Sequence, residues 1–351
     1  MSKTLIKTAV SLAIGAVFVW LAIRDVDLSG VEQALARVDL GIVGLYGLLF
    51  AAVHLSRIVR WGLLLRPIGR VPFGRLFTVG SVGFMALMLL PLRLGEFARP
   101  ILIAERGRIR VSAALATVVV ERVVDALAMA GLLVGMLFFL EGQIAVPADL
   151  EFWSWVVLAG FLALLVFLLL AYWRQAATVA WFQRLLGKLS AKLADRLAST
   201  LDSFIGGLRA LPDLRLLGAF LLLTVVYWGL NGLGLWLLFG AFDGLSGLGP
   251  LEAFTVLSVL CVGLMIPAGP GMIGNFHYFV KLGLSLFVAE AVLGADGVAY
   301  AILVHAIQLG LQVLCGVICL FSSHITLRRV LASSPARIEQ RLGSASDQPP
   351  Q

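Results

Sequence analysis

Charged residues are scarce in this chain: Asp, Glu, Lys and Arg make up 13% of its 351 residues, and 60% are hydrophobic. This shortage excludes an ordinary soluble globular protein, in which about a quarter of the residues are charged. Several apolar runs approach the roughly 20 residues that a helix needs to cross a bilayer. The composition therefore predicts an all-α, polytopic integral membrane protein, because helices satisfy their own backbone hydrogen bonds in lipid.

Cysteine is also rare, and its positions exclude cysteine chemistry. Cys261, Cys315 and Cys319 all lie inside apolar segments, where cysteine behaves as a small hydrophobic residue. A disulfide framework or a cysteine metal site is not expected. We predict no cofactor, no metal site and no catalytic residues.

The net charge of +7 raises the question of nucleic-acid binding. The basic residues lie beside predicted membrane exits, as in the stretch with Arg60, Arg66, Arg70 and Arg75, so the positive-inside rule explains them better. Nucleic acid is therefore not an expected partner. The same rule places both termini in the cytoplasm. His54 and Arg57 are expected to extend their polar ends to the inner membrane interface.

Six full spans and two broken hairpins are predicted. The first span, which ends near Ile23, could also be read as a signal peptide, but no small-residue cleavage site follows it. The fourth is bracketed by Trp153 and Trp173, as expected for an aromatic belt. The full spans are the N-terminal run to Ile23 and residues 40–64, 112–140, 153–173, 216–239 and 298–321.

The broken hairpins, at 76–106 and 251–288, divide the chain into two halves that we expect to form an inverted repeat, 1–140 and 153–325. If their arms are counted, the protein has about eight or more helices. A cytoplasmic amphipathic segment at 174–213 and a disordered tail at 330–351 complete the predicted organisation.

The two hairpins share a proline followed by a glycine four residues later, Pro91 with Gly95 and Pro267 with Gly271. Backbone that leaves the helical state inside a membrane must line a cavity or be covered by protein. Inverted-repeat transporters place their substrate site at such hairpin tips. Chance similarity between apolar strings, or a purely structural kink, is the alternative.

Charged side chains in membrane segments usually face the protein interior or a polar cavity. Two interpretations stay open: the cluster binds substrate, or its members only neutralise one another. The cluster comprises Arg93, Glu96, Arg99, Glu121, Arg122 and Asp125.

A polar group follows the second hairpin and continues on the last span. His305, Gln308 and Gln312 share one helical stripe, which faces the cavity or serves as hydrogen-bonding contact between helices. A helix that restarts after the hairpin would direct free amides at an anion. The remaining candidates of this group are Gly271, Gly274, Asn275 and His277.

These motifs carry a family resemblance. "PLRLGEFARP", "ERVVD" and "PAGPGMIGNF" resemble the flippase-like transmembrane domain of lysylphosphatidylglycerol synthases (multiple peptide resistance factors) and its stand-alone bacterial and archaeal relatives, over roughly residues 5 to 325. The resemblance implies a protein of the cytoplasmic membrane that moves a lipid with a phosphate or charged headgroup between leaflets. Met272 departs from the family pattern by replacing a glycine, and His277 stands where an acid is common.

The leading interpretation is a lipid translocase and not an enzyme, since the chain ends near residue 351 without the soluble aminoacyl transferase domain. An integral-membrane glycosyltransferase is the alternative, suggested by the pair Asp25 and Asp27 in the first outer loop. A non-transporting accessory subunit, working with a lipid-modifying enzyme, is a third interpretation. A homodimer also remains open.

Overall fold

The computed structural model describes residues 13, 16–21, 28–104, 109–143, 146–187, 191–210, 213–266 and 269–323. Within these ranges the chain is helical and contains no β-strand. The helices, numbered in chain order, are Leu28–Ala36 (α1), Leu40–Leu65 (α2), Phe73–Leu89 (α3), Ala98–Ala104 (α4), Val111–Leu140 (α5), Ala148–Trp173 (α6), Gln175–Gly187 (α7), Ala191–Gly206 (α8), Leu214–Phe239 (α9), Pro250–Gly263 (α10), Asn275–Leu284 (α11) and Glu290–Phe321 (α12).

Five of the described helices, α2, α5, α6, α9 and α12, are long and apolar enough to cross a membrane. They coincide with five of the six predicted spans, and the multi-pass all-α prediction is confirmed. The predicted first span lies largely outside the described residues. Helix α6 is the most peripheral, since it buries only Ser154, Leu168 and Ala171 and leaves both terminal tryptophans exposed.

Both predicted hairpins are present as short helices joined by a 3₁₀ turn. The turn Pro91–Phe97 joins α3 to α4, and the turn Pro270–Met272 precedes α11. With 17 residues, α3 rises about 25 Å, and α10, with 14, rises about 21 Å. Neither hairpin arm spans the roughly 30 Å hydrocarbon core on its own.

The two turns share an unusual backbone geometry. Arg93 and Met272, each the third residue of its turn, both have φ 57°, a left-handed conformation that costs an ordinary residue about 1 kcal/mol. By this geometry Pro91 corresponds to Pro270. The sequence pattern pairs Pro91 with Pro267, three residues earlier, and Pro267 lies outside the described residues. A glycine at position 272 would adopt the same φ without strain.

The two halves pack reciprocally. Helix α2 packs along α9, α3 along α12, and α10 along α5. Helices α2 and α9 are both 26 residues long, and Asp39 and Asp213 cap their N-termini by accepting hydrogen bonds from two backbone amides each. Each hairpin is thus held by the last helix of the other half.

The predicted amphipathic segment contains two helices, α7 and α8, which pack against each other. Helix α8 also packs on α5, and Arg110 Nη1 donates a 2.6 Å hydrogen bond to Ser203 Oγ near this contact. The predicted tail 330–351 and the acid pair Asp25 and Asp27 lie outside the described residues.

Candidate functional site

A cavity of about 370 Å³ lies between the hairpins and the long helices. Tyr227 lies 13 residues after the start of α9 and 12 before its end, so the cavity wall is about 20 Å from either end of that helix. This is mid-bilayer depth for a spanning helix. The polar residues in its lining are His54, Arg57, Arg93, Glu96, Arg122, Asp125, Tyr227, Trp228, Asn231, Cys261, His305, Gln308 and Gln312.

Arg60 is fully buried behind the cavity wall and not in the basic stretch where the sequence suggested it would lie. Its two terminal nitrogens bind both carboxylate oxygens of Asp125, at 2.6 and 2.8 Å, and one of them reaches Glu121 at 3.3 Å. Arg60 Nη1 also donates a 3.3 Å hydrogen bond to Thr224 Oγ1. Such a bidentate pair fixes both side chains in one geometry.

Arg99 forms the second buried pair. Its Nη1 donates to the other oxygen of Glu121 at 2.8 Å, and its guanidinium lies against the rings of Trp61 and Phe84. Glu121 therefore bridges Arg60 and Arg99. Neither Arg99 nor Glu121 lines the cavity, so the structure places them in a charged layer behind the wall.

Arg93, Glu96 and Arg122 form a looser chain at the cavity surface. One oxygen of Glu96 lies 3.4 Å from Arg93 Nε and 3.5 Å from Arg122 Nε, beyond good hydrogen-bonding geometry. All three side chains are about a quarter exposed. Arg93 Nη1 donates a 2.9 Å hydrogen bond to the carbonyl oxygen of Leu264, at the end of α10. The tip of the first hairpin is thus tied to the second.

Arg57 also points into the cavity, whereas the sequence suggested the membrane interface. Its guanidinium stacks 3.6 Å above the ring of Phe84, and Nη1 donates to Gln312 Oε1 at 3.2 Å. No carboxylate oxygen of a described residue lies within 4.0 Å of it. Arg57 is therefore a membrane-depth cation with a neutral hydrogen-bond partner.

The polar stripe of α12 lines the cavity and also makes hydrogen bonds to other segments, so it has the features of both sequence interpretations. His305 Nε2 lies 2.7 Å from the carbonyl oxygen of Gly271, Gln308 donates to Tyr46 at 2.8 Å, and Gln312 donates to the Gln308 carbonyl oxygen at 3.2 Å. The stripe thus connects the second hairpin tip to α2 and to Arg57.

At the start of α11, Phe276 lines the cavity but its neighbours make contacts within the hairpin. The Gly274 amide donates to His277 Nδ1 at 3.4 Å, and the buried Asn275 side chain donates to the Ile266 carbonyl oxygen at 3.0 Å. Gly274, Asn275 and His277 do not line the cavity, whereas Gly271 does. The structure brings Gly271 and His305 together at the wall and puts the other three in the hairpin itself.

The described residues do not form a metal-binding site. Among the residues that the structure describes, no group of three or more His, Cys, Asp or Glu is placed to hold a metal ion. All three cysteines are free, and only Cys261 of them reaches the cavity lining.

Comparison with known families decides the assignment of the chain. The family model described as "Lysylphosphatidylglycerol synthase TM region" matches residues 8–316. The chain belongs to this family. No curated protein and no solved structure gives a significant match. Membership in the lysylphosphatidylglycerol synthase transmembrane family identifies a multi-pass membrane protein that associates with membrane lipids in a lipid-related pathway.

Proposed function

We propose that the protein translocates a lipid with a phosphate or other charged headgroup between the two leaflets, and that the headgroup crosses through the mid-bilayer cavity. The single observation that carries this proposal is the cavity itself. Its 370 Å³ falls within the size range of small-molecule sites and is large enough for a headgroup, while the acyl chains would stay in the bilayer. Ionisable side chains that face a cavity at mid-membrane depth usually mark a substrate or ion pathway.

The reciprocal packing supports an inverted repeat of 1–140 and 153–325. In this proposal the two hairpins are related elements that enter from opposite faces, and both termini lie in the cytoplasm. Alternating access follows if one hairpin moves against the helix bundle while the other stays closed. The contact between Arg93 and the Leu264 carbonyl oxygen holds both hairpin tips together and must break during this cycle.

The residues take different roles in the proposed mechanism. Arg57, Arg93 and Arg122 face the cavity and bind the headgroup, because guanidinium groups recognise phosphate oxygens with two parallel hydrogen bonds. Glu96 orients Arg93 and Arg122 between transport events. The buried pairs around Glu121 hold the wall in place.

The second hairpin and the α12 residues that contact it determine the shape of the cavity and contribute less to headgroup binding. His305 fixes the Gly271 carbonyl, and the stacked rings of Phe276 and His305, 4.6 Å apart, brace the tip. Gly274, Asn275 and His277 stabilise the turn through hydrogen bonds outside the cavity lining. Gln308 connects α12 to α2 through Tyr46.

A liposome assay tests the proposal. Purified protein in vesicles with a fluorescent phospholipid should speed the appearance of label on the opposite leaflet relative to protein-free vesicles. Arg93→Ala should abolish the increase at equal incorporation, whereas Arg215→Ala, an exposed arginine outside the cavity lining, should leave it unchanged. Equal rates in wild type and Arg93→Ala would contradict the assigned role.

A further inference from the structure

Among the described residues, the charges around the cavity do not balance. The cluster contains three carboxylates, which leaves an excess of two positive charges within the membrane segments. Desolvation of an unmatched charge costs several kcal/mol, so an anion from outside the chain is expected to complete the cluster. The members are Arg57, Arg60, Arg93, Arg99, Arg122, Glu96, Glu121 and Asp125.

The excess lies on the cavity side of the cluster. Arg60 binds Asp125 in a bidentate pair, and Arg99 binds Glu121. These contacts neutralise the buried layer. The cavity lining contains two carboxylates. Asp125 is already bound to Arg60, so Glu96 is left to the wall arginines, and it is shared between two of them at 3.4 and 3.5 Å.

Two wall arginines keep donors for a ligand. The Nη2 atom of Arg122 is buried and has no hydrogen-bond partner among the described residues. Arg57 has Gln312 as its hydrogen-bond partner and the Phe84 ring beneath its guanidinium plane. A guanidinium carries five N–H donors, so both side chains can bind the oxygens of a phosphate in the cavity.

We propose that the cavity selects lipids whose headgroup carries a net negative charge, with Arg57 and Arg122 holding the phosphate. A cationic, aminoacylated headgroup is disfavoured, because its ammonium would meet three arginines, while Glu96 is shared between two of them and Asp125 is bound to Arg60. Repulsion of this kind discriminates between ligands as effectively as attraction does. The inference rests on the proposed translocation and narrows its substrate class.

Binding to the full-length protein in phosphatidylcholine nanodiscs tests the charge selectivity without requiring transport. Short-chain phosphatidylglycerol, lysylphosphatidylglycerol and inorganic phosphate are titrated separately, with the thermal unfolding midpoint as the readout. Phosphatidylglycerol should bind at least about tenfold more tightly than its lysyl derivative, and Arg57→Gln or Arg122→Gln should each weaken it by about tenfold or more.

Matched variants separate binding from folding. Arg66→Gln removes an exposed arginine of α2's C-terminal end, outside the cavity, and should leave the affinity unchanged. Arg122→Lys keeps the charge and should retain the preference for the anionic lipid. Only variants whose unfolding midpoint without ligand equals that of the wild type enter these comparisons.

The outcomes are distinct. Equal or tighter binding of lysylphosphatidylglycerol overturns the inference, and so does inorganic phosphate that binds as tightly as phosphatidylglycerol, since a lipid headgroup is then not the ligand. Binding of inorganic phosphate that is measurable but weaker than that of phosphatidylglycerol supports the shared phosphate chemistry. Absence of leaflet transfer together with charge-selective binding would overturn the proposed translocation alone.

Discussion

Arg93 donates a hydrogen bond of 2.9 Å to the carbonyl oxygen of Leu264, 171 residues further along the chain. This contact joins the tip of the first hairpin to the end of α10, the first arm of the second hairpin. Arg93 makes it from a left-handed backbone conformation, φ 57°. Strained backbone at a contact of this kind is typical of functional sites.

The strain at Arg93 can be measured by comparing two substitutions. Both Arg93→Gly and Arg93→Ala remove the guanidinium, but only glycine adopts a positive φ without steric cost. We expect Arg93→Gly to be more stable than Arg93→Ala by about 1 kcal/mol. The thermal unfolding midpoint of the purified variants checks this, and an alanine variant of equal or higher stability would contradict the backbone geometry.

Gly95 should not tolerate a side chain. A Cβ atom there would lie 2.1 Å from the carbonyl carbon of Ala86 and 2.2 Å from the amide nitrogen of Leu87. The backbone of α3 cannot give way as a flexible side chain would, so Gly95→Ala should open the first hairpin. The control is Gly44→Ala, where the added Cβ atom would meet no described atom within 4 Å beyond its chain neighbours and the backbone of its own helix.

Limited proteolysis and thermal unfolding distinguish the two glycine variants. Gly95→Ala should be cleaved faster near the hairpin and should unfold at a lower temperature, whereas Gly44→Ala should match the wild type. Wild-type behaviour of Gly95→Ala would show that the turn does not pack directly on α3.

Arg60 and Asp125 should be coupled in stability. Arg60→Leu leaves a buried carboxylate without its bidentate partner, and breaking a buried pair typically costs 3–5 kcal/mol. The double variant Arg60→Leu/Asp125→Leu removes both charges and should recover part of the loss. Arg66→Leu, at an exposed position of the same segment, should cost much less.

A double-mutant cycle on unfolding temperatures measures this coupling. Additive effects of the two single substitutions would contradict the pair, because residues without a shared interaction do not influence each other's cost.

Cys261 reports directly on whether the cavity holds water. It is the one cysteine among the described residues that lines the cavity, whereas Cys319 is buried elsewhere. A small water-soluble thiosulfonate should modify a variant that retains only Cys261 faster than one that retains only Cys319. Intact-mass spectrometry follows the reaction. Equal, negligible labelling of both would indicate a dry cavity.

Much of the fold could be predicted from the sequence, because long apolar runs have few alternatives to membrane helices. The predicted span Trp153–Trp173 became α6, Ala148–Trp173, and the predicted break at Pro91 is the start of the 3₁₀ turn. Proline and glycine marked both hairpins, since they interrupt helices by local chemistry.

The partners of the buried charges could not be predicted in the same way. The sequence placed Arg99 and Glu121 in one charged cluster but could not assign the pairs within it, and the structure shows that Arg99 binds Glu121 on α5. Arg60 and Arg57 looked like interfacial residues because they precede Arg66 and Arg70. Both residues lie inside α2, between Phe50 and Leu65. That position within an apolar helix could have indicated that they lie at membrane depth.

Direct observation of a lipid at the cavity tests the central claim best. An experimental structure in nanodiscs that contain phosphatidylglycerol should show a headgroup within hydrogen-bonding distance, about 3 Å, of Arg57 and Arg122 Nη2, with acyl chains leading from it into the bilayer. A closed, dry cavity without lipid density, in which Arg57 and Arg122 bind only protein carboxylates, would contradict the account.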